Sequence, residues 1–480
     1  MITTNRPCEK VFEYFKQLTR IPRPSGYVAN VSNYLAMVAR QNGLWYKQDS
    51  LHNIIIKRPA SQGYENFEPV IIQGHLDMVC EKTPETNINF WEDALNIKEE
   101  GDFIFAKGTT LGADNGIAIA YALAILTDKS INAPEIEAIF TADEETGMFG
   151  AMDIDLSCTN SKMLLNIDSE NEGVFTVSCA GGVTCEGFLS AKSETHKKNG
   201  YKIRIHSLTG GHSGVEIHKN RANANILAGK LLKELSQNYD LLLSCCEGGK
   251  KHNAIPSECE IIISTDSNIE NAVLEFESKV LKQFSATDPE LKIDCTSFSD
   301  EEIKIFDKTT TQRVIAILST ISDGVYCMSE DIEGLVKTSS NLGILETREN
   351  EFYFLSSLRS SEEKSLDELY ERISKTFEQN CAKAERSGEY PAWEYKKDSP
   401  LRDIMCKVFE QQYGKAPKIE AIHAGLECGI FCGKRPELDC VSFGPDMFDI
   451  HTPKERLSIS SAKRTWDFLL NVLENLKIEK

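Results

Sequence analysis

Short apolar runs in this chain repeatedly end in a histidine or a carboxylate, the residue types that bind metals and move protons. Val70-Ile-Ile72 leads into Gln73-Gly-His75-Leu-Asp77. On an extended backbone residues i and i+2 point to one side, so Asp77 can stand behind His75 and fix the tautomer of a metal-binding imidazole. Ile136 to Phe140 leads into Ala142-Asp143-Glu144-Glu145-Thr146-Gly147. Adjacent side chains diverge, so one of these glutamates can bind metal while the other reaches for a water, the division of labour that metal-assisted hydrolysis requires. Met163 to Ile167 leads into Asp168, and Val441-Ser-Phe443 into Asp449-Ile-His451. Asp114 stands where the Gly-rich stretch Gly108 to Asp114 meets a helix beginning near Asn115. That is the place of a helix cap, although a carboxylate has two oxygens and could also bridge two cations. Two histidines and three carboxylates form a mixed nitrogen and oxygen set suited to zinc, or to cobalt or manganese.

The elements that must position these groups read as an α/β domain. β-branched runs alternate with helical ones up to about residue 180, which predicts a mixed, mostly parallel sheet with helices on its faces and a ligand crevice at the carboxyl ends of its strands. Beyond Gly181-Gly182 the texture becomes α+β. A strand at 201–208 with a helix at 223–235 has a counterpart in a strand at 352–359 with a helix at 366–377, which reads as an internal duplication of units about 100 residues long. From Trp393 the α/β texture returns and ends in a helix over 460–476, with apolar residues at 462, 466, 469, 470 and 473. The organisation expected is a catalytic domain in two parts, 1–181 and 391–480, interrupted by an insert at 182–390.

Composition narrows the function classes. The chain has 480 residues, with 53 Lys and Arg against 73 Asp and Glu, a net charge of −20, so no basic surface for nucleic acid is expected. At 41% hydrophobic and 26% charged it sits in the globular range. Its longest apolar stretch, Ile117 to Leu126, is far shorter than the roughly 20 residues of a membrane span, and no secretory signal or lipid anchor is legible. The 15 cysteines form no disulfide or zinc-ribbon framework. Reduced thiols in a cytoplasmic protein are the expectation.

The segments His75-Leu-Asp77, Gly112-Ala-Asp114-Asn115-Gly116, Asp143 to Gly147, Asp168 and His451 resemble the metal motifs of the co-catalytic di-zinc exopeptidases, the family of carboxypeptidase G, aminoacylase and the carnosinases, and the likeness runs over nearly the whole chain. Gly210-Gly-His-Ser-Gly214, His252-Asn-Ala-Ile-Pro256 and His423-Ala-Gly-Leu-Glu-Cys-Gly429 resemble its aminoacyl-histidine dipeptidase branch. The resemblance implies two zinc ions per chain, one on His75, Asp114 and Asp168, the other on Asp114, Glu145 and His451. It implies Glu144 as general base and Asp77 as the partner of His75. The insert resembles the family's lid, which implies His212 for the developing oxyanion and Asn253 and Arg359 for the substrate's C-terminal carboxylate or oxyanion. On their own, His212 reads as a turn residue and Arg359 as a solvated strand end. The activity implied is hydrolysis of unblocked dipeptides, including Xaa-His and β-Ala-His. The alternatives are another amide hydrolase, such as a tripeptidase or an acyl-amino-acid deacylase, or a binding protein on the same fold. A small peptide substrate and a homodimer formed through the lid are the implied partners.

Overall fold

Val70–His75, Ile136–Thr141 and Met163–Asn166 are strands buried along their whole length, as runs of Val, Ile and Leu require when both faces of a parallel sheet are covered. In this computed structural model, which describes residues 2–330, 332 and 334–479, Val70–His75 pairs in parallel with both of the others. Asp439–Ser442 continues the parallel set beside Met163–Asn166. Ile54–Arg58 and Trp45–Gln48 extend one side antiparallel, and Val174–Cys179 pairs antiparallel with Asp439–Ser442 on the other. The result is an eight-stranded mixed sheet with these three parallel pairings at its centre.

The chain divides into two compact units. The first comprises Met1–Ser178, Tyr395–Ala421 and Leu426–Lys480, and the second Cys179–Glu394 with Ile422–Gly425. In the first, the helix Ala113–Thr127 is buried on every side from Ile117 to Leu126. It seats directly on the central strand, because a Cβ at Gly74 would fall 2.2 Å from Asn115 Oδ1 and 2.7 Å from Ala118 Cβ. The C-terminal helix Ile459–Asn475 starts on Ser458, whose side chain accepts the Ser461 N–H. It stacks Trp466 on Tyr121, while the Tyr121 hydroxyl donates to Ala462 O. Phe175, Phe409, Phe443 and Phe468 then lock strands and helices from both halves of the chain into one aromatic cluster. No helix among the described residues is long and apolar enough to cross a membrane.

The second unit is built on a nine-stranded sheet. Ser193–His206, the helix Ala224–Asn238, Leu242–Gly248, Cys259–Ser264, the helix Glu270–Phe284 and Lys292–Phe306 form a β-α-β-β-α-β unit with strands in the order fourth, first, third, second. Gly181–Ser190, the helix Lys308–Thr320, Val336–Thr347, Glu351–Ser360, the helix Glu363–Gln379 and Lys383–Tyr390 repeat it in mirrored order. The β-α-β-β-α-β repeat at 193–306 is therefore nested inside the other repeat, after that repeat's opening strand, and enters and leaves it side by side through the Ser193 and Phe306 pair. This corrects the tandem reading of the duplication. The counterpart of the strand at 193–206 is Gly181–Ser190, and the strand at 351–360 is the third strand of its own unit. Each β-α-β-β-α-β unit contains a strand followed by a helix twice, so strand-helix pattern alone cannot tell its halves apart. The first of these strands also stops at His206 rather than 208, since Ser207 takes φ +61°.

The aromatic cluster yields a stability test. Phe468 is buried against three other rings, so Phe468→Ala is expected to cost about 3–5 kcal/mol. Thermal unfolding should show a fall of several degrees in the melting of the first unit, and a melting curve like that of wild type would remove the cluster from this role.

Candidate active site

The first unit gathers its chemistry where the central strands end. His75 closes its strand in register with Thr141, from which the loop bearing Glu144 and Glu145 departs. Asp168 follows the neighbouring strand, and His451 arrives from a loop in which both Asp449 and His451 take positive φ. Asp114 Oδ1 lies 3.0 Å from His75 Nε2, and Asp114 Oδ2 lies 3.0 Å from His451 Nε2. Asp168 Oδ1 is 3.4 Å from the same His75 nitrogen, and Glu145 Oε1 is 3.0 Å from the same His451 nitrogen. All the ligands expected from the sequence are thus brought together in two three-residue sets that share Asp114. A third set of His75, Glu144 and Glu145 places Glu144 beside them.

Asp114 is not a helix cap. Gly112, at φ +68°, stands at the N-terminus, no side chain caps it, and Asp114 and Asn115 are themselves non-helical. The two oxygens of Asp114 face the two imidazoles instead.

The donor set fits a pair of divalent cations. One ring N–H of each histidine faces two carboxylate oxygens and cannot serve both, which leaves Glu145 Oε1 buried without a hydrogen bond. A cation has no such limit, and two NO2 sets of this kind, one imidazole and two carboxylates each, suit zinc and its neighbours. Titration follows the same crowding of charge. Burial opposes protonation of His75, yet the charge of Asp168 and bonds to Asp114, Asp168 and Asp77 hold its pKa well above the usual range. Asp114 and Glu145 hold that of His451 up at about 11. Burial pushes Asp168 up to about 7 and Glu144 well above the carboxylate range.

Asp77 is buried behind His75. Its Oδ1 is 3.3 Å from His75 Nδ1. It also accepts the backbone N–H groups of Glu144 at 3.0 Å and Glu145 at 3.3 Å, and the Ser25 hydroxyl at 2.7 Å. One carboxylate therefore lies against the imidazole and holds the loop carrying both glutamates.

Two anchors were not legible. Arg23 is fully buried and donates to the carbonyls of Leu76, Asp77 and Gly112, tying the His75 segment to the Gly-rich loop. Glu455, also buried, accepts the N–H groups of Leu111, Gly112 and Ala113 at 2.7, 3.0 and 2.7 Å. In the sequence both look like ordinary surface charge. No spacing marks Arg23, and only its proximity to His451 could have singled out Glu455.

The remaining expected residues cluster within the second unit. The short strand Gly211–His212 pairs with Ala254–Ile255, matching His212 with Ala254, and Asn253 O accepts the Ser213 N–H at 2.9 Å. His212 Nδ1 accepts the N–H groups of Gly214 and Val215 at 3.0 and 3.2 Å, so the ring proton resides on Nε2 and is available for donation. Burial, then the charge of Arg359, lowers the His212 pKa and keeps the ring neutral. Arg359 is largely buried rather than solvated. It donates Nη1 to the Tyr390 hydroxyl at 2.6 Å, and its Nε is buried without a partner. A Cβ on Gly214 would meet His423 O at 2.4 Å, His212 Cε1 at 2.9 Å and Arg359 Nε at 3.2 Å, so only glycine allows these groups to converge. Tyr390 carries no signal in the sequence, and His423, within the motif His423 to Gly429, is held by Ser339 at 2.7 Å.

Comparison with known proteins agrees with this arrangement. The model of peptidase family M20/M25/M40 matches residues 71–475. The chain is 31% identical to the cytosol non-specific dipeptidase of Escherichia coli over 474 residues, 98% of each protein. The crystal structure of aminoacylhistidine dipeptidase from Vibrio alginolyticus superposes with a TM-score of 0.88 at 34% identity, covering 98% of this chain and 97% of that one. An aminopeptidase from Bacillus cereus shares the fold at a TM-score of 0.58 and 14% identity, with 98% and 99% coverage. With the family match spanning most of its length and its histidines and carboxylates gathered at the strand ends, the chain belongs to peptidase family M20/M25/M40.

Proposed function

We propose that this protein is a metal-dependent dipeptidase that hydrolyses unblocked dipeptides, Xaa-His and β-Ala-His among them. The observation that carries the reading is the pair of three-residue sets sharing Asp114, a donor arrangement for two cations side by side. His75, Asp114 and Asp168 would hold one and Asp114, Glu145 and His451 the other, with zinc the best match to the donors. When bound, such ions supply Lewis acidity to the scissile carbonyl and lower the pKa of water.

The chain's own groups do the rest. Glu144 belongs to the same cluster but is not needed in either set that shares Asp114, so its carboxylate is left to accept the proton of the attacking water and deliver it to the leaving amine. Asp77 keeps that glutamate in place through its backbone N–H. In the second unit, neutral His212 offers an Nε2–H donor for the oxyanion. Asn253 and the Arg359 guanidinium, with its unpartnered Nε, bind the C-terminal carboxylate. Recognition of a free C-terminal carboxylate is what favours short unblocked peptides over internal peptide bonds.

Glu144→Gln is expected to retain metal by elemental analysis while losing about 10²–10⁴-fold in kcat. Glu145→Gln should instead lose metal. The opposite pattern would reverse the two roles.

The second cluster divides kinetically. His212→Ala should lower kcat by about 10²–10³ with little change in KM, as for a lost oxyanion donor. Arg359→Met should chiefly raise KM, and C-terminally amidated dipeptides should be refused. Steady-state kinetics on metal-loaded protein check both, and efficient cleavage of an amidated substrate would remove the carboxylate grip.

A further inference from the structure

Beneath the ligand layer lies a second polar layer that the mechanism does not use. Glu427 opens the helix Glu427–Lys434 and is fully buried. Its Oε2 accepts from Gln73 Nε2 at 2.6 Å and from the Thr141 hydroxyl at 2.8 Å. Gln73 Oε1 in turn accepts from Asn166 Nδ2 at 2.6 Å. Gln73 precedes His75 by two residues and Asn166 precedes Asp168 by two, so each shares a strand face with its metal-site residue. Thr141 is the register partner of His75. One carboxylate therefore ties together the three strands that deliver the site.

The layer is incomplete as a structural device. Glu427 Oε1 and Asn166 Oδ1 are both buried without partners. Glu427 receives its bonds from neutral donors, and burial pushes its carboxyl up to about 7. A neutral glutamine could accept the same two bonds at less cost to the fold, because a buried carboxylate without a counter-charge is unfavourable. Glu427 is also close enough for its charge to bear on Glu144 and Asp168 and to feel that of His75.

We propose that Glu427 is a positioning residue whose carboxylate, without ligating, supplies part of the negative charge that binds the cations and fixes the strand ends carrying their ligands. The inference rests on the metal-site reading given above. In this arrangement the bound cations are the counter-charge that the carboxylate lacks among its hydrogen-bond donors.

The test is zinc affinity measured by chelator competition on the full chain, alongside thermal melting of the metal-free protein. Glu427→Gln keeps an oxygen to accept from Gln73 and Thr141 but loses the charge. Zinc binding should weaken by about 10-fold, the lower end for groups that act behind metal ligands. The metal-free variant should melt no lower than wild type. The double variant Gln73→Glu with Glu427→Gln returns a carboxylate to the same three-strand link and should recover most of the affinity. Unchanged affinity in Glu427→Gln overturns the proposal. So does a metal-free melting point well below wild type, or a double variant that recovers nothing. If wild type itself binds no zinc, the proposed dipeptidase mechanism fails instead, so the two failures are separable.

Discussion

Crowded negative charge is the constraint on which the site depends. Asp114, Glu144, Glu145 and Asp168 converge on two imidazoles, and carboxylates left to themselves would spread apart or take up protons. What holds them is mostly backbone, gripped by buried charges of both signs. Arg23 clamps three carbonyls, Glu455 gathers successive amides of the Gly-rich loop, and Asp77 takes the amides of Glu144 and Glu145. Charge-assisted bonds to backbone are stronger than neutral ones and leave little freedom to the segments they hold. The ligands inherit their geometry from these anchors rather than from their own rotamers.

The cluster in the second unit has the opposite character. It is built from a guanidinium, neutral histidines and hydroxyl groups, and burial, then the charge of Arg359, holds the pKa of His212 and His423 down. Removing positive charge from His212 does not remove its usefulness, since its Nε2–H remains a donor and is pre-aimed by two backbone amides.

The sequence reveals the converging imidazoles and carboxylates better than their supports. His75, Asp168 and the two glutamates follow buried, largely apolar runs, so these polar groups stand out against their surroundings. Arg23 and Glu455 do not, because a charged residue in a polar loop looks the same whether it is solvated or buried. The fold is legible wherever hydrophobic period decides, as in the strands at 70–75 and 136–141 and the helix at 459–475. It is not legible in the nested topology of the second unit, where pairing between distant strands decides and every local pattern recurs. Asp114 lay between these cases. Local rules made it a helix cap, and only the return of His451 from the far end of the chain gives its second oxygen a partner.

Asn115 shows why the last step from motif to site is made by hydrogen-bond polarity rather than by residue size. It is fully buried beside Asp114, accepts the His75 N–H at 3.2 Å through Oδ1 and donates Nδ2 to Ile167 O at 2.6 Å. That places one bond at the backbone of a ligand and the other at the residue preceding Asp168. An aspartate of the same shape would turn an acceptor toward the Ile167 carbonyl and add another negative charge to a cluster already crowded with them. A leucine would leave a buried N–H and a buried C=O unpaired. Only an amide supplies a donor and an acceptor in one rigid plane without charge, and its close fit against Gly74 leaves no space for a side chain on the strand beneath. The Ala-Asp-Asn-Gly run at 113–116 thus reads, in the folded protein, as one carboxylate between two imidazoles and one amide stitching the strands that carry its neighbours.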